Sequence, residues 1–136
     1  MNRRLARLRA AQALYQMDLT GSDVESAIES VLEDNEKQSE FFTQLVKGTT
    51  ELKVKIDETI SANLEGWTIS RMGHVDRAII RMAMYEMLEV EDIPVNVTFN
   101  EAIELAKAFG GDEAGRFVNG VLSKSIETLN LDRKNK

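Results

Sequence analysis

The segment HVDRAIIRMAMYEMLEV, residues 74–90, is apolar on two sides at helical spacing. Val75, Ala78, Ile79 and Met82 form one stripe, and Ile80, Met84 and Met87 form a second. A helix with one apolar stripe lies on a surface, whereas one with two is covered on both flanks. The segment therefore predicts a central helix with other elements packed on either side. One residue breaks the pattern. Glu86 falls in the middle of the first stripe, where a carboxylate needs an opposite charge or must emerge at an interface. A buried pair with an arginine is the structural expectation, because buried ions are seldom tolerated alone. A partner-binding face is the alternative.

Working outward, the same 3.6-residue period continues in both directions, so the chain reads as all-α with about seven helices. Upstream, Gly66 to Gly73 is a connector holding Trp67 and Ile69. Before it, Phe41, Phe42, Leu45, Val46, Leu52, Ile56, Ile60 and Leu64 share one stripe: one long helix, or two with a break near Gly48. Residues 33–39 are a polar loop. Ser22-Asp-Val-Glu25 has the form of a capping box and opens a helix with Val24, Ala27, Ile28, Val31 and Leu32 on one face. The first helix runs from about residue 2 to 19. Downstream, Pro94, the single proline, ends a loop. Thr98-x-x-Glu101 is a second capping box, with Phe99, Ala102, Ile103, Ala106 and Phe109 facing inward. Gly110-Gly111-Asp112 reads as helix end, turn and helix start. The last helix, about 112–130, buries Phe117, Val118, Val121, Leu122, Ile126 and Leu129, and the tail DRKNK is polar.

Composition removes whole classes of chemistry. There is no cysteine, hence no disulfide and no thiolate zinc site. The one histidine, His74, lies beside a glycine at a helix start, where a structural or solvated role is the expectation. Lys47-Gly48-Thr49 lacks the upstream glycine spacing of a phosphate-binding loop. Glu101 and Glu104 have no histidine partner at metal-site spacing and read as a solvated helix face. No catalytic group, metal site or cofactor cradle emerges, so the chain reads as a binding protein and not an enzyme. No apolar stretch reaches the roughly 18 residues of a membrane span. No apolar signal core follows the first arginines, so the cytoplasm is the expected compartment.

Charge supplies the positive signal. The first seventeen residues hold four arginines and no acid, leaving 13 basic against 23 acidic residues in the remainder. On a helix, Arg3, Arg4 and Arg7 fall within an arc of roughly 100°, Tyr15 projects close to Arg4, and Arg9 points elsewhere. Guanidinium forks suit phosphate oxygens and a tyrosine ring can stack on bases. The same arginines could instead lie over apolar neighbours and pair with the protein's own acids. A second candidate is Gly110-Gly-Asp-Glu-Ala-Gly-Arg-Phe117, where the amides of a helix start, Arg116 and a half-exposed Phe117 could meet an anion or a base. A short helix–helix turn with a core phenylalanine is its plainer reading. Asp76, on the flank of the central helix, is placed to face a protein partner.

Several segments taken together resemble the NusB family of bacterial transcription antitermination factors. They are Ala13-Leu-Tyr-Gln16, Phe41-Phe-Thr-Gln-Leu-Val-Lys-Gly48, Val75-Asp-Arg-Ala-Ile-Ile-Arg81, Asp92-Ile-Pro94, Asn100-Glu-Ala-Ile-Glu-Leu-Ala-Lys107 and Phe117-Val-Asn-Gly-Val-Leu122. They run in order over almost the whole chain, and the last two blocks are the most specific. The resemblance implies two small helical subdomains, here residues 1–66 and 67–136. It implies pairing with NusE, a ribosomal protein, binding of the boxA element of nascent RNA, notably from ribosomal RNA operons, and entry into an RNA polymerase antitermination complex. It implies RNA contacts by Arg3, Arg4, Arg7 and Tyr15, and by Glu113, Arg116 and Phe117. It places Asp76 against NusE, with Glu86 the further partner-facing candidate on that helix. Phe99 and Ser123 depart from the family's usual isoleucine and aspartate, tolerably for the fold. NusB-like domains also occur fused to RNA-modifying methyltransferases; with no such domain in 136 residues, a free-standing factor is the expectation. Two rival readings remain at this stage: a helical protein–protein module without RNA binding of its own, and a homodimer that hides the arginine helix.

Overall fold

The computed structural model describes residues 1–64 and 68–132. Gly66 and Trp67 of the connector, the expected 66/67 boundary between subdomains and all but Asp132 of the polar tail lie outside the described residues.

Helix α1, Arg3–Thr20, starts where the Asn2 side chain accepts the Leu5 amide at 2.8 Å and stops at Gly21, whose φ of 74° suits glycine. Ala6, Ala10 and Ala13 are fully buried along it, and such small side chains allow neighbouring helices to approach closely. Helix α2, Val24–Val31, is capped by Asp23, which accepts the Ser26 amide at 2.8 Å. The expected Ser22–Glu25 capping box is thus displaced by one residue, because a carboxylate one position later takes the amide. Helices α3, Glu40–Glu51, and α4, Lys53–Asn63, replace one continuous stripe, and they part at Leu52. The break expected near Gly48 falls at Leu52 instead: Gly48 lies inside α3, and glycine is required there because a Cβ would overlap the ring of Tyr85.

A single 3-10 turn, Ile69–Arg71, leads to α5, His74–Glu89. Helix α6, Val95–Leu129, is kinked at Gly111, where φ of 76° and ψ of −170° interrupt the helix. Pro94 occupies its cap position with φ −59°, and the helix begins at once. The expected start at Thr98 is therefore incorrect. Thr98 lies a turn inside the helix, buried, with its hydroxyl donating to Glu86 at 2.9 Å. The carboxylate, not a backbone amide, uses that side chain. Six α-helices result, seven segments when the kink is counted, and the described residues contain no strand.

Helix α5 is central, as its two stripes require. It packs against α1, α3 and α4 and also against α6. Ile79, Ile80, Met82, Met84 and Met87 are almost completely buried. Phe109 departs from expectation: it is 42% exposed. Ala106 is the last buried residue before the kink, so the final turn of that arm, Phe109 included, projects into solvent.

Candidate nucleic-acid interface

Helix α1 carries its arginines to the hairpin formed by α5 and the first arm of α6. Arg4 is the most open: its side chain is 77% exposed and reaches Glu101 at 3.3 Å. Arg3 is 54% exposed, lies 5.0 Å from the centre of the Phe41 ring and 3.5 Å from Asp92. Arg7 is different. Its side chain is 4% exposed and its Nε donates to both oxygens of Glu86 at 3.1 Å. Its Nη2 closes the fork on Glu86 Oε1, and its guanidinium lies 5.1 Å from the Phe41 ring centre on the protein's interior. Arg7 therefore separates from the exposed pair. The sequence grouped all three because helix angle alone does not show which flank a neighbouring helix covers.

Glu86 is corrected in the same way. It is 1% exposed, and its carboxylate accepts from Arg7 and Thr98, so it does not form a partner-facing surface. The arginine pair expected at the centre of the α5 stripe is the arrangement found. Burying an ion costs several kcal/mol unless partners satisfy it, and here two donors do. Glu101, read as part of a solvated face, is also drawn in: its side chain is 20% exposed, with Arg7 Nη1 at 4.0 Å as well as Arg4.

Arg9 is engaged elsewhere. Its fork donates to both oxygens of Glu36 at 2.8 Å, and this hydrogen bond, with the Glu33 amide, holds the Glu36 carboxyl at about 2. Tyr15 lies eleven residues beyond Arg4, about 16 Å along the helix axis. The structure does not join it to Arg3, Arg4 or Arg7, and only Arg9 lines its groove. Tyr15 is half-buried, edge-on to the His74 ring at 6.3 Å, in a groove of about 430 Å³ shared with Gln12, Leu19, Val31 and Leu32.

His74 is structural, as its setting suggested. Its Nδ1 lies 2.6 Å from Asp18, which also accepts from Arg77 at 2.6 and 3.0 Å. Arg81 reaches Asp18 at 3.4 Å and grips Asp57 at 2.7 and 2.8 Å. Burial pushes Asp18 upward, but the hydrogen bonds from His74 and Arg77 and the charges of Arg77 and Arg81 prevail and hold it at about 2. This network bolts the end of α1 to α5 and α4.

The second candidate segment forms one wall of another groove. Gly110, Glu113, Ala114 and Phe117 face Arg71, Met72, Gly73 and Asp76 across an open space of about 450 Å³. Glu113 and Arg116 are exposed, and Phe117 is half-buried. Burial alone raises the Asp76 carboxyl above its ordinary range. The sequence treated Asp76 and Glu113–Phe117 as two separate sites, and the fold puts Asp76, Glu113 and Phe117 in one groove. That groove is at the start of α5, whereas Glu86 and the arginines are near its end, about 15 Å away along the axis. The sequence missed Phe41, Asp92 and Glu101 as neighbours of the arginines. Phe41 was read as part of an apolar stripe and Glu101 as a cap and solvated-face residue, and neither reading points to the arginines. Among the described residues, no three histidine, aspartate or glutamate side chains converge to hold a metal, and no helix is long and apolar enough to cross a membrane.

An all-helical fold with an exposed arginine pair at one end of its central helix and an acidic, aromatic groove at the other defines a class of small binding protein. The chain belongs to the NusB family, whose model matches residues 4–127. It is 61% identical over 127 residues to the transcription antitermination protein NusB of Halalkalibacterium halodurans, covering 93% of this chain and 95% of that protein. A relative of the same description from Shouchella clausii is also 61% identical, with 93% and 96% covered. Among solved structures, T. maritima NusB superposes with a TM-score of 0.85 at 37% identity, covering 93% of this chain and 92% of that one. A crystal structure of antitermination factors NusB and NusE with double-stranded RNA gives a TM-score of 0.83 at 29% identity, with 93% and 96% covered.

Proposed function

We propose that this chain is a transcription antitermination factor, a cytoplasmic RNA-binding adaptor without catalytic activity. It pairs with the ribosomal protein NusE, binds boxA RNA of nascent transcripts, notably of ribosomal RNA operons, and joins the RNA polymerase antitermination complex. Family membership over residues 4–127 carries the reading. The likeness to the NusB–NusE–RNA structure supports the choice of ligand and partner.

Within this reading Arg3 and Arg4 meet phosphates, since they are the exposed cations of α1. Arg7 acts from beneath by fixing α1 on the α5–α6 hairpin. Tyr15 and Phe117 offer ring faces, Arg116 a further cation and Glu113 a hydrogen-bond acceptor, while Asp76 faces NusE. The test is a salt titration of boxA RNA binding, with and without NusE, for the wild type and for Arg3→Ala/Arg4→Ala. Losing two phosphate contacts lowers the salt slope by about 1.4, at about 0.7 per contact on single strands. An unchanged slope would rule out phosphate contact by this pair.

A specific observation also favours a protein-facing role for α1. Leu5, Leu8, Gln12, Tyr15 and Leu19 follow a 3-4-3-4 spacing on its outer side, half-buried or exposed. Concentration-dependent association in sedimentation experiments, abolished by Leu8→Glu, would establish self-association through that side.

A further inference from the structure

The arginine end of the molecule is not basic in the folded state. Arg3, Arg4 and Arg7 stand against Asp92, Glu101 and Glu86, three cations facing three carboxylates, all three acids delivered by α5, its following loop and the start of α6. The pairs differ in kind. Arg7 and Glu86 are sealed inside. Asp92 is 75% exposed beside Arg3, and Glu101 lies at the rim between Arg4 and Arg7.

We propose that Asp92 and Glu101 act as competing anions that set the affinity of this site for RNA. In the RNA-free protein they occupy the guanidinium positions of Arg3 and Arg4, and an RNA phosphate binds there by replacing them. The proposal rests on the reading of Arg3 and Arg4 as RNA contacts. The physical case is charge and reach. The Arg3–Asp92 pair at 3.5 Å is exposed on both sides and the Arg4–Glu101 pair at 3.3 Å on its arginine side, so each is weak enough to exchange. Yet each carboxylate repels an incoming phosphate from a few ångströms away. Single phosphates and arbitrary polyanions thus gain little at this site. A ligand must engage both arginines together, or add contacts elsewhere on the protein or its partner, to win the exchange. The acids thereby raise the threshold that any polyanion must pass to bind at this site.

The experiment measures fluorescence anisotropy of a labelled single-stranded boxA RNA at three salt concentrations, for the chain alone and with NusE. The variants are Asp92→Asn, Glu101→Gln, their double and Arg3→Ala/Arg4→Ala. Removing one competing charge tightens binding about two- to fivefold for Asp92 and about fivefold for Glu101, the range of an exposed ion pair. The salt slope steepens by up to about 0.7 per carboxylate, because a phosphate no longer releases an acid that recruits cations. A scrambled RNA gains by a similar factor, because the exchange takes place at phosphates and phosphates are common to every sequence. Asp92 is open to solvent, so its variant tests the idea without risk to the fold. Weaker binding in Glu101→Gln would overturn the proposal and make Glu101 a positioning residue for Arg4. Unchanged affinity in both carboxylate variants, with the arginine variant still impaired, would overturn it alone. If the arginine variant also binds normally, the RNA reading of α1 falls with it.

Discussion

Replacing Arg7 by alanine separates the structural role of that residue from any role in binding. The substitution removes a buried fork from a carboxylate that is 1% exposed, leaving Glu86 the Thr98 hydroxyl at 2.9 Å but not its cation. Breaking one side of a buried ion pair costs about 3–5 kcal/mol. With unfolding entropy of about 2.1 cal/mol/K per residue, 136 residues give about 0.3 kcal/mol/K, so Tm falls by about 10–17 °C. The decisive variant is Arg7→Met/Glu86→Leu. It fills the same space without charge, keeps a contact with Phe41, and lets the Thr98 hydroxyl turn to a backbone carbonyl. It should recover to within about 1 kcal/mol of the wild type, because an apolar replacement of a buried pair is near neutral. Urea unfolding of wild type, both singles and the double completes the cycle. A loss under about 1 kcal/mol in Arg7→Ala, or a double equal to the sum of its singles, would refute the buried-pair argument. RNA binding by the stable double variant then decides the second question. Wild-type affinity means that Arg7 frames the site without touching RNA, and a large loss means that it contacts RNA after all.

Three further outcomes follow from the geometry. Asp18 is held at about 2 against an ordinary 3.8, so its contribution, about 2 kcal/mol, is complete above about pH 5 and is lost as pH falls from about 4 toward 2. Asp18→Asn should flatten the urea midpoint over that interval, and an unchanged acid profile would contradict the network. Gly111→Ala should cost about 1–3 kcal/mol through backbone strain alone, since φ 76° with ψ −170° is a glycine conformation and open space surrounds the position. Gly48→Ala should cost a similar amount, about 1–3 kcal/mol, for the opposite reason, overlap with the Tyr85 ring. Tyr85→Ala should relieve the second substitution and not the first in thermal melts.

Helix content and the central position of α5 were legible in the sequence because burial imposes a period, and period survives without knowledge of partners. The Glu86 anomaly was legible for the same reason: a charge in an apolar stripe demands an explanation. Cap positions were not. Ser22 and Thr98 both fit the capping pattern, but Asp23 and Pro94 start the helices, because a neighbour one to four residues away offered a better cap or a fixed φ. The Thr98 hydroxyl was claimed by Glu86, twelve residues away in sequence, which no local rule can see. The arginine grouping failed at Arg7 for a related reason. A helical wheel gives angles about one axis, and only the position of α5 and α6 decides which angle is inside. The convergence of Asp76 with Glu113 and Phe117 depended on the kink at Gly111, whose direction is set by tertiary packing.

A basic helix on an acidic protein need not be a basic surface. Of the four arginines in α1, Arg7 and Arg9 are consumed by Glu86 and Glu36, and only Arg3 and Arg4 remain open, each beside an acid. Two exposed guanidiniums contribute at most two phosphate contacts, a small electrostatic gain at cellular salt on a chain of net charge −6. Tight RNA binding by this chain alone would therefore require groups beyond α1. The groove at the other end of α5 offers the Phe117 ring, but its two carboxylates, Asp76 and Glu113, outweigh its one cation, Arg71, so it repels phosphate and suits a cationic neighbour. A basic protein seated at that groove would neutralise its net negative charge and supply cations that the chain's own arginine end, balanced by acids, lacks. On the proposed reading, this charge distribution favours assembly with a basic partner before or together with RNA.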